Sequence, residues 1–345
     1  MRHRIAITMG DPSGIGAEIA VKALRSRKAY EQCIPLVIGD RIPMEEAIAF
    51  TGSRLRLRVI RSPEEAKGEP GYIDLMDLGF MKAGSWDYKK VCRTSGEASF
   101  QYVVCGIQQA MEQKVHAVVT GPINKEAINL AGHHYSGHTE IFAEYTKAKH
   151  YAMLLCSNGL RVIHVTTHVS MRQACDIVRN GKDRIEEVIR LAEETMKLLN
   201  IEKPRIGVAG LNAHSSENGL FGGEEREAII PAIEMCQGQG ICVDGPVPPD
   251  TVFVKALAGQ YDVVVAMYHD QGHIPLKLNG FCMDKLTNQY TAMSGVNITV
   301  GLPIIRTSVD HGTAFGKAGE GRANEESLVD ALNMAALMAQ KRFPG

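Results

Sequence analysis

The chain has 345 residues, 45% of them hydrophobic and 22% charged, with a formal net charge of −1. That length exceeds one ordinary domain and suits two of roughly 150 to 170 residues, each with enough apolar material for a core. A charge so near zero gives no global field for nucleic acid or an anionic membrane, and no run reaches the ~18 uninterrupted apolar residues of a membrane span.

The first ten residues pass directly into an apolar run and lack the core and cleavage site of a signal peptide. The 8 cysteines are scattered and none forms a C-x-x-C pair. The expectation is a cytoplasmic protein with buried, reduced thiols.

Residues 5–9 predict the first strand. Gly10-Asp11-Pro12-Ser13-Gly14-Ile15-Gly16 follows and opens a helix over 15–24. Glycines let a main chain approach a ligand, and a helix N-terminus favours an anion, so the turn is a candidate anion site. A plain tight turn capped by Asp11 or Ser13 is the alternative. It is no Walker loop, because the Gly-Lys-Ser/Thr ending is absent. A strand at 36–38, a helix over 97–113 and a strand at 117–120 come next, the last running into Gly121-Pro122-Ile123-Asn124-Lys125. Ser136-Gly137-His138-Thr139-Glu140 then opens another helix, where Thr139 and nearby amides suit an anion unless Ser136 is merely a cap.

Strands at 152–155 and 162–166 follow, the second leading to His168. His164 precedes His168 by four residues, about 13 Å along one strand face, so the two cannot share a metal. A helix over 182–199 precedes a strand at 206–209 that leads to His214; a helix over 224–237 precedes a strand at 263–267 that leads to His269-Asp270-Gln271-Gly272-His273. Arg306-Thr307-Ser308-Val309-Asp310-His311-Gly312-Thr313-Ala314 precedes a glycine-rich stretch and a last helix over 325–340.

Near-continuous apolar runs alternating with helices predict an α/β architecture with parallel sheets. In such sheets ligands bind beyond the carboxyl ends of the strands. Three separate strands each deliver a histidine there: His168, His214 and His269. Three imidazoles leave an open position on a divalent metal, although a lone histidine is more often structural. No G-x-G-x-x-G follows a strand with an acidic residue about 20 positions on, so NAD, if bound, uses another loop.

The segments TMGDPSGIGAE, TGPINKEAI, SGHTE, HVTTH, GLNAHSSENGLFGGEE, GPVPPDTVF, AMYHDQGH and GVNITVGLPIIRTSVDHGTAF occur in one order along nearly the whole chain. In these the chain resembles the 4-hydroxythreonine-4-phosphate dehydrogenase family. The resemblance implies two α/β/α domains with a cleft between them, like isocitrate and isopropylmalate dehydrogenases. Residues 1–133 and 299–345 would form the first, with the NAD loop; residues 134–298 would form the second, with the metal site and the dimer contact. The 310–314 run resembles an adenosine-binding loop, which implies cofactor contacts at His311, Gly312, Thr313 and Ala314. Metal ligands are implied at His168, His214 and His269, and substrate contacts at His138, Thr139, Lys277, Asn297 and Arg306. The family works as a homodimer with shared active sites. Asp250 is a further candidate near the metal, or a turn residue.

The implied reaction is NAD-dependent oxidation of a hydroxyl β to a carboxylate, followed by loss of CO₂, with Lys277, Asp250 or a metal-bound water as the base. Imidazoles favour Zn, Mn or Co over Mg. Residues 217–222 and 271–277 resemble the branch acting on D-threonate or D-erythronate 4-phosphate; 4-phosphohydroxy-L-threonine and, more distantly, aromatic cis-dihydrodiols are the alternatives. Residues 281–294 include about eleven more than that pattern has, forming either a lid or a plain surface loop. A metal-dependent hydrolase and a non-catalytic binding protein are the rival readings.

Overall fold

A strand covered on both faces has no polar side to show, and the apolar runs of this chain become such strands. Ile5, Ala6, Ile7, Val118, Val119, Val263, Val264 and Val265 are all fully buried. The computed structural model describes residues 2–285 and 290–344. In chain order its elements begin with β1 (His3–Thr8), α1 (Gly16–Ala23), α2 (Lys28–Gln32), β2 (Cys33–Gly39), α3 (Arg41–Phe50), β3 (Arg56–Ile60), β4 (Tyr72–Asp77), α4 (Arg93–Met111), β5 (Ala117–Thr120), α5 (Lys125–Leu130) and α6 (His138–Thr146). They continue with β6 (Ala152–Ser157), β7 (Leu160–His164), α7 (Met171–Asn180), α8 (Lys182–Leu198), β8 (Ile206–Ala209), α9 (Ile230–Gly238), β9 (Val243–Val247), α10 (Val252–Leu257), β10 (Val263–Ala266), α11 (His269–Gly280), β11 (Phe281–Met283), β12 (Tyr290–Met293), β13 (Val296–Val300), β14 (Ile305–Val309) and α12 (Glu326–Arg342).

The chain divides into two units. One runs to Lys149 and resumes at Leu302; the other is His150–Gly301. Helix α6 packs on α4, which places residues 134–149 with the first unit, whereas the sequence reading had assigned them to the second.

The first unit carries strands in the order β3-β4-β2-β1-β5-β14, all parallel. Its edge strand β3, Arg-Leu-Arg-Val-Ile, is largely exposed, and its charges hid it from an apolar-run reading. The second unit carries β13-β6-β7-β10-β8-β9. Here the expectation of a wholly parallel sheet fails: β6 runs antiparallel to both β13 and β7. The cause is the connection. Asn158-Gly159 joins β6 to β7 with both residues at positive φ, a two-residue hairpin turn, and a parallel pairing would need a crossover of about a dozen residues.

The helix expected over 224–237 is interrupted. A π-helical turn, Glu225–Ile229, precedes α9, and Pro231 in the first turn of α9 has no N–H to continue the ladder. The extra segment forms a β-hairpin of β11 and β12; its residues 286–289 lie outside the described residues. All eight cysteines are free, but only Cys33, Cys156 and Cys236 are buried, while Cys242 and Cys282 are exposed. The expected burial of the thiols therefore holds for a minority. Among the described residues no helix is long and apolar enough to cross a membrane.

Helices α4 and α5 approach closely at Gly96. A Cβ at Gly96 of α4 would overlap the Ala127 carbonyl of α5, whereas one at Gly238 would meet nothing within 4 Å. Gly96→Ala should lower the unfolding free energy by about 2 kcal/mol or more, and Gly238→Ala should leave it unchanged or slightly raised, as read by urea denaturation.

Candidate active site

In the first unit the 10–16 turn proves to be an internal brace. Every residue from Met9 to Gly16 is buried. A Cβ at Gly14 would come within 2.9 Å of the Thr313 Cβ, and Ile15 N–H donates to the Thr313 carbonyl at 3.2 Å. Asp11 Oδ1 accepts from Ser13 N–H at 2.8 Å, so the tight-turn alternative describes it, although neither Asp11 nor Ser13 caps α1. Burial pushes the Asp11 carboxyl up to about 7. The turn thus presses on the 311–314 loop instead of holding a ligand itself.

That loop follows β14 and turns at Ala314, whose φ is 43°. Asp310 N–H donates to Ser327 Oγ at 3.1 Å, and His311 Nδ1–H to the Gly312 carbonyl at 3.0 Å. Gly312 is exposed, and a Cβ on Gly312 or Gly316 would meet nothing within 4 Å. The main chain is therefore open along one side and anchored on the other, which fits an adenosine lying against it.

Arg306, on β14, is 2% exposed. Its Nη2 donates to Thr120 Oγ1 at the end of β5 at 2.8 Å, and its guanidinium lies 5.6 Å from the Phe142 ring centroid. Burial pulls the guanidinium down to about 9, partly offset by Glu140. His138 and Thr139 occupy the first turn of α6. His138 Nε2 is buried with no hydrogen-bond partner among the described residues, and burial together with Arg306 keeps the imidazole neutral, well below its usual range. Ser136 does not cap α6; Gly137 holds that position with no side-chain bond, and His138 and Glu140 of the first turn lie close enough to Arg306 for their charges to interact. A buried guanidinium, a neutral imidazole and a helix N-terminus form a cradle for an anion.

In the second unit His168 lies beyond β7, and His269 opens α11. Their ring centroids are 5.9 Å apart. Two imidazoles on one divalent ion stand about 5–6 Å apart, so this pair fits common ligation. His269 Nδ1–H donates to the Asp270 carboxylate at 2.7 Å, leaving the Nε2 lone pair for a metal. The His269 ring stacks on His273 at 3.6 Å, and His273 meets the buried His164 at 4.8 Å. Burial, then His273, takes His164 down to about 3, so it is a neutral packing residue.

His214 begins a run of five left-handed residues, His214 to Asn218, with φ between 41° and 68°. Such geometry costs about 1 kcal/mol or more per residue and survives only where its surroundings impose it. Glu225, 2% exposed, accepts from the N–H groups of Leu211 and Asn212 at 2.8 and 2.7 Å. Ser216 Oγ donates to the Gly222 carbonyl at 2.5 Å. Gln271 ties the loops beyond β8 and β10 together, accepting from Met267 N–H at 2.7 Å and donating to the Gly210 carbonyl at 2.8 Å. Even so, among the described residues no group of three or more His, Cys, Asp or Glu side chains is arranged to hold a metal. The structure brings His168 and His269 together and does not gather His214 with them. Asp250 is exposed in the turn closed by Thr251 N–H to the Pro248 carbonyl. Lys277 Nζ lies 4.4 Å above the Phe281 ring, the first residue of the extra hairpin, and Asn297 sits on β13 opposite Leu155.

Sequence reasoning missed Asp270, Gln271 and Glu225 as supports. Each lies within a few residues of a candidate ligand or of the loop that carries one, and a carboxylate or carboxamide so placed is the sequence signal for it.

The raised Asp11 carboxyl has a consequence for stability. Unfolded, it ionises near its ordinary 3.8; folded, it keeps its proton to about 7. Its contribution is present below pH 3.8 and is lost as pH rises through 7, at most roughly 4 kcal/mol. Asp11→Asn should flatten that part of the pH dependence and gain relative to the parent above pH 7, as measured by denaturation at pH 4, 6 and 8.

Residues 31–335 match the family model of the pyridoxal phosphate biosynthetic protein PdxA. The chain is 46% identical over 339 residues to a D-threonate 4-phosphate dehydrogenase of Cupriavidus necator, covering 98% of each. A crystal structure of a 4-hydroxythreonine-4-phosphate dehydrogenase from Klebsiella pneumoniae superposes with a TM-score of 0.85 at 42% identity, over 98% of this chain and 100% of that one. A β-decarboxylating dehydrogenase from Thermococcus kodakarensis shares the fold at 16% identity, with a TM-score of 0.50 over 96% of this chain and 82% of that one. The chain belongs to the PdxA family.

Proposed function

We propose that the chain oxidises the hydroxyl β to the carboxylate of a four-carbon 4-phosphorylated hydroxy acid, using NAD and a divalent cation, with loss of CO₂ from the resulting β-keto acid. The observation that carries this reading is the cradle of Arg306, His138 and the α6 N-terminus: a 2% exposed cation beside an unpartnered imidazole nitrogen is best satisfied by a substrate anion. We assign the phosphate to it. Arg306 suits bidentate capture, and its burial makes each hydrogen bond stronger than it would be in water.

His168 and His269 would hold the cation; the resemblance implies His214 as a third ligand, which this structure does not bring to the pair. A divalent ion bound there supplies Lewis acidity that lowers the pKa of the substrate hydroxyl. Asp270 contributes by fixing the His269 tautomer, so that Nε2 is always the free nitrogen. His311, Gly312, Thr313 and Ala314 would hold the adenosine side of NAD, which accepts the hydride. Lys277 and Asp250 remain the candidate bases; Lys277 and Asn297, with Thr139, complete the proposed substrate contacts. The resemblance supports a cytoplasmic homodimer with shared active sites. The likeness to the Cupriavidus enzyme favours D-threonate 4-phosphate over 4-phosphohydroxy-L-threonine, and the resemblance of residues 217–222 and 271–277 keeps D-erythronate 4-phosphate beside it.

An NADH-release assay with Mn²⁺ or Zn²⁺ and each of these three compounds tests the reading. Turnover should be fastest with one of the two sugar-acid phosphates. A faster rate with 4-phosphohydroxy-L-threonine reassigns the substrate, and no NADH with any of them leaves the hydrolase or the binding protein. Asp270→Asn should weaken divalent-metal affinity about 10- to 100-fold in a chelator competition, and an unchanged affinity would contradict the ligand assignment.

A further inference from the structure

Far from the cradle, the first unit has a second concavity. It is an open concavity of about 450 Å³, lined by Arg25, Arg27, Gly52, Arg54, Pro70 and Gly71 among others. Its position follows from chain direction. Arg54 and Leu55 immediately precede β3, and Pro70 and Gly71 lie just before β4, so the concavity sits at the amino ends of the parallel strands. Thr120 and the 10–16 turn lie at the opposite, carboxyl ends. The two places cannot be parts of one site.

We propose that this concavity is a second binding site, for a small multivalent phosphate: a di- or triphosphate chain, free or carried by a nucleoside. Three arginines line one pocket, and among the described residues none of the three makes a side-chain hydrogen bond or ion pair. What sets them apart from other exposed arginines, such as Arg61, Arg172 and Arg226, is that they line one concavity. Service to helix ends does not account for them. Arg25 and Arg27 follow α1 and Arg54 follows α3, where a cation complements the dipole, but the terminal carbonyls already accept main-chain donors. Leu24 N–H donates to Ala20, Arg25 N–H to Lys22 and Ser26 N–H to Ala23; Thr51, Gly52 and Ser53 do the same for Ala47, Ala49 and Ile48.

The floor also suits close approach of a charged group. Gly52 and Gly71 have φ of 61° and 97°, and a Cβ on either would meet nothing within 4 Å. Glycine is required there by the backbone, and it leaves open space between the guanidiniums. The volume lies within the ~300–1,000 Å³ typical of small-ligand sites, larger than orthophosphate needs. Planar guanidiniums bind phosphate oxygens bidentately, and three positive charges match the charge of a diphosphate.

The test is calorimetric titration with inorganic pyrophosphate and, separately, ADP, of the full chain and of the Arg25→Gln, Arg27→Gln, Arg54→Gln triple variant at low salt. All three residues are exposed, and an unchanged thermal midpoint will show that the variant is folded. The parent should bind pyrophosphate in a component that the variant loses by about tenfold or more and that weakens as salt is added. An equal loss for both ligands assigns the polyphosphate chain, and a larger loss for ADP assigns a nucleotide. Binding of both ligands to parent and variant with the same affinity, or to neither, would overturn the proposal.

Discussion

Keeping one arginine charged inside the protein constrains much of the first unit. Arg306 is 2% exposed, and burial opposes its charge. An unpaired buried cation costs several kcal/mol, so its surroundings must supply acceptors and a polarisable face. Thr120 Oγ1, the Phe142 ring and the Glu140 charge do so, and these come from β5 and from α6. The strand order that sets β14 beside β5 is what allows Thr120 to reach it. A site so arranged gains most when an anion enters, which ties the fold of this unit to the chemistry of its ligand.

The second unit solves a different problem, that of aiming imidazoles. A stack of His269 on His273, with His164 behind, limits how the His269 ring can turn, and Asp270 sets which nitrogen carries the proton. Gly272 is part of that arrangement, since any side chain there would run into His164. Gln271 and Glu225 fix the loops on either side through main-chain groups, which hold a loop more firmly than exposed side-chain contacts would. The left-handed run from His214 to Asn218 stores conformational strain within that frame.

Much of this was legible in the sequence, for identifiable reasons. Strands buried on both faces read as apolar runs, and β5 and β8 match their expected bounds. An apolar pattern does not reveal β3, because an edge strand carries charge on its exposed side, and the direction of β6 is encoded in the Asn158-Gly159 turn that follows it and not in its own apolar run. The anion cradle was only half visible. Thr139 and its neighbouring amides suggested an anion from their place at a helix start, but the burial of Arg306 and its partner Thr120 depend on pairings between distant stretches of chain. The 10–16 turn misled in an instructive way: the same glycines that permit a ligand's approach here permit the approach of Pro122 and Thr313.

The proposed chemistry depends on Arg306 and His138 receiving the substrate's phosphate. A crystal structure of the complex with D-threonate 4-phosphate measures this directly. The expected result is phosphate oxygens within hydrogen-bonding distance of the Arg306 guanidinium and His138 Nε2. A bound substrate whose phosphate lies elsewhere, with no anionic group at Arg306, would contradict it.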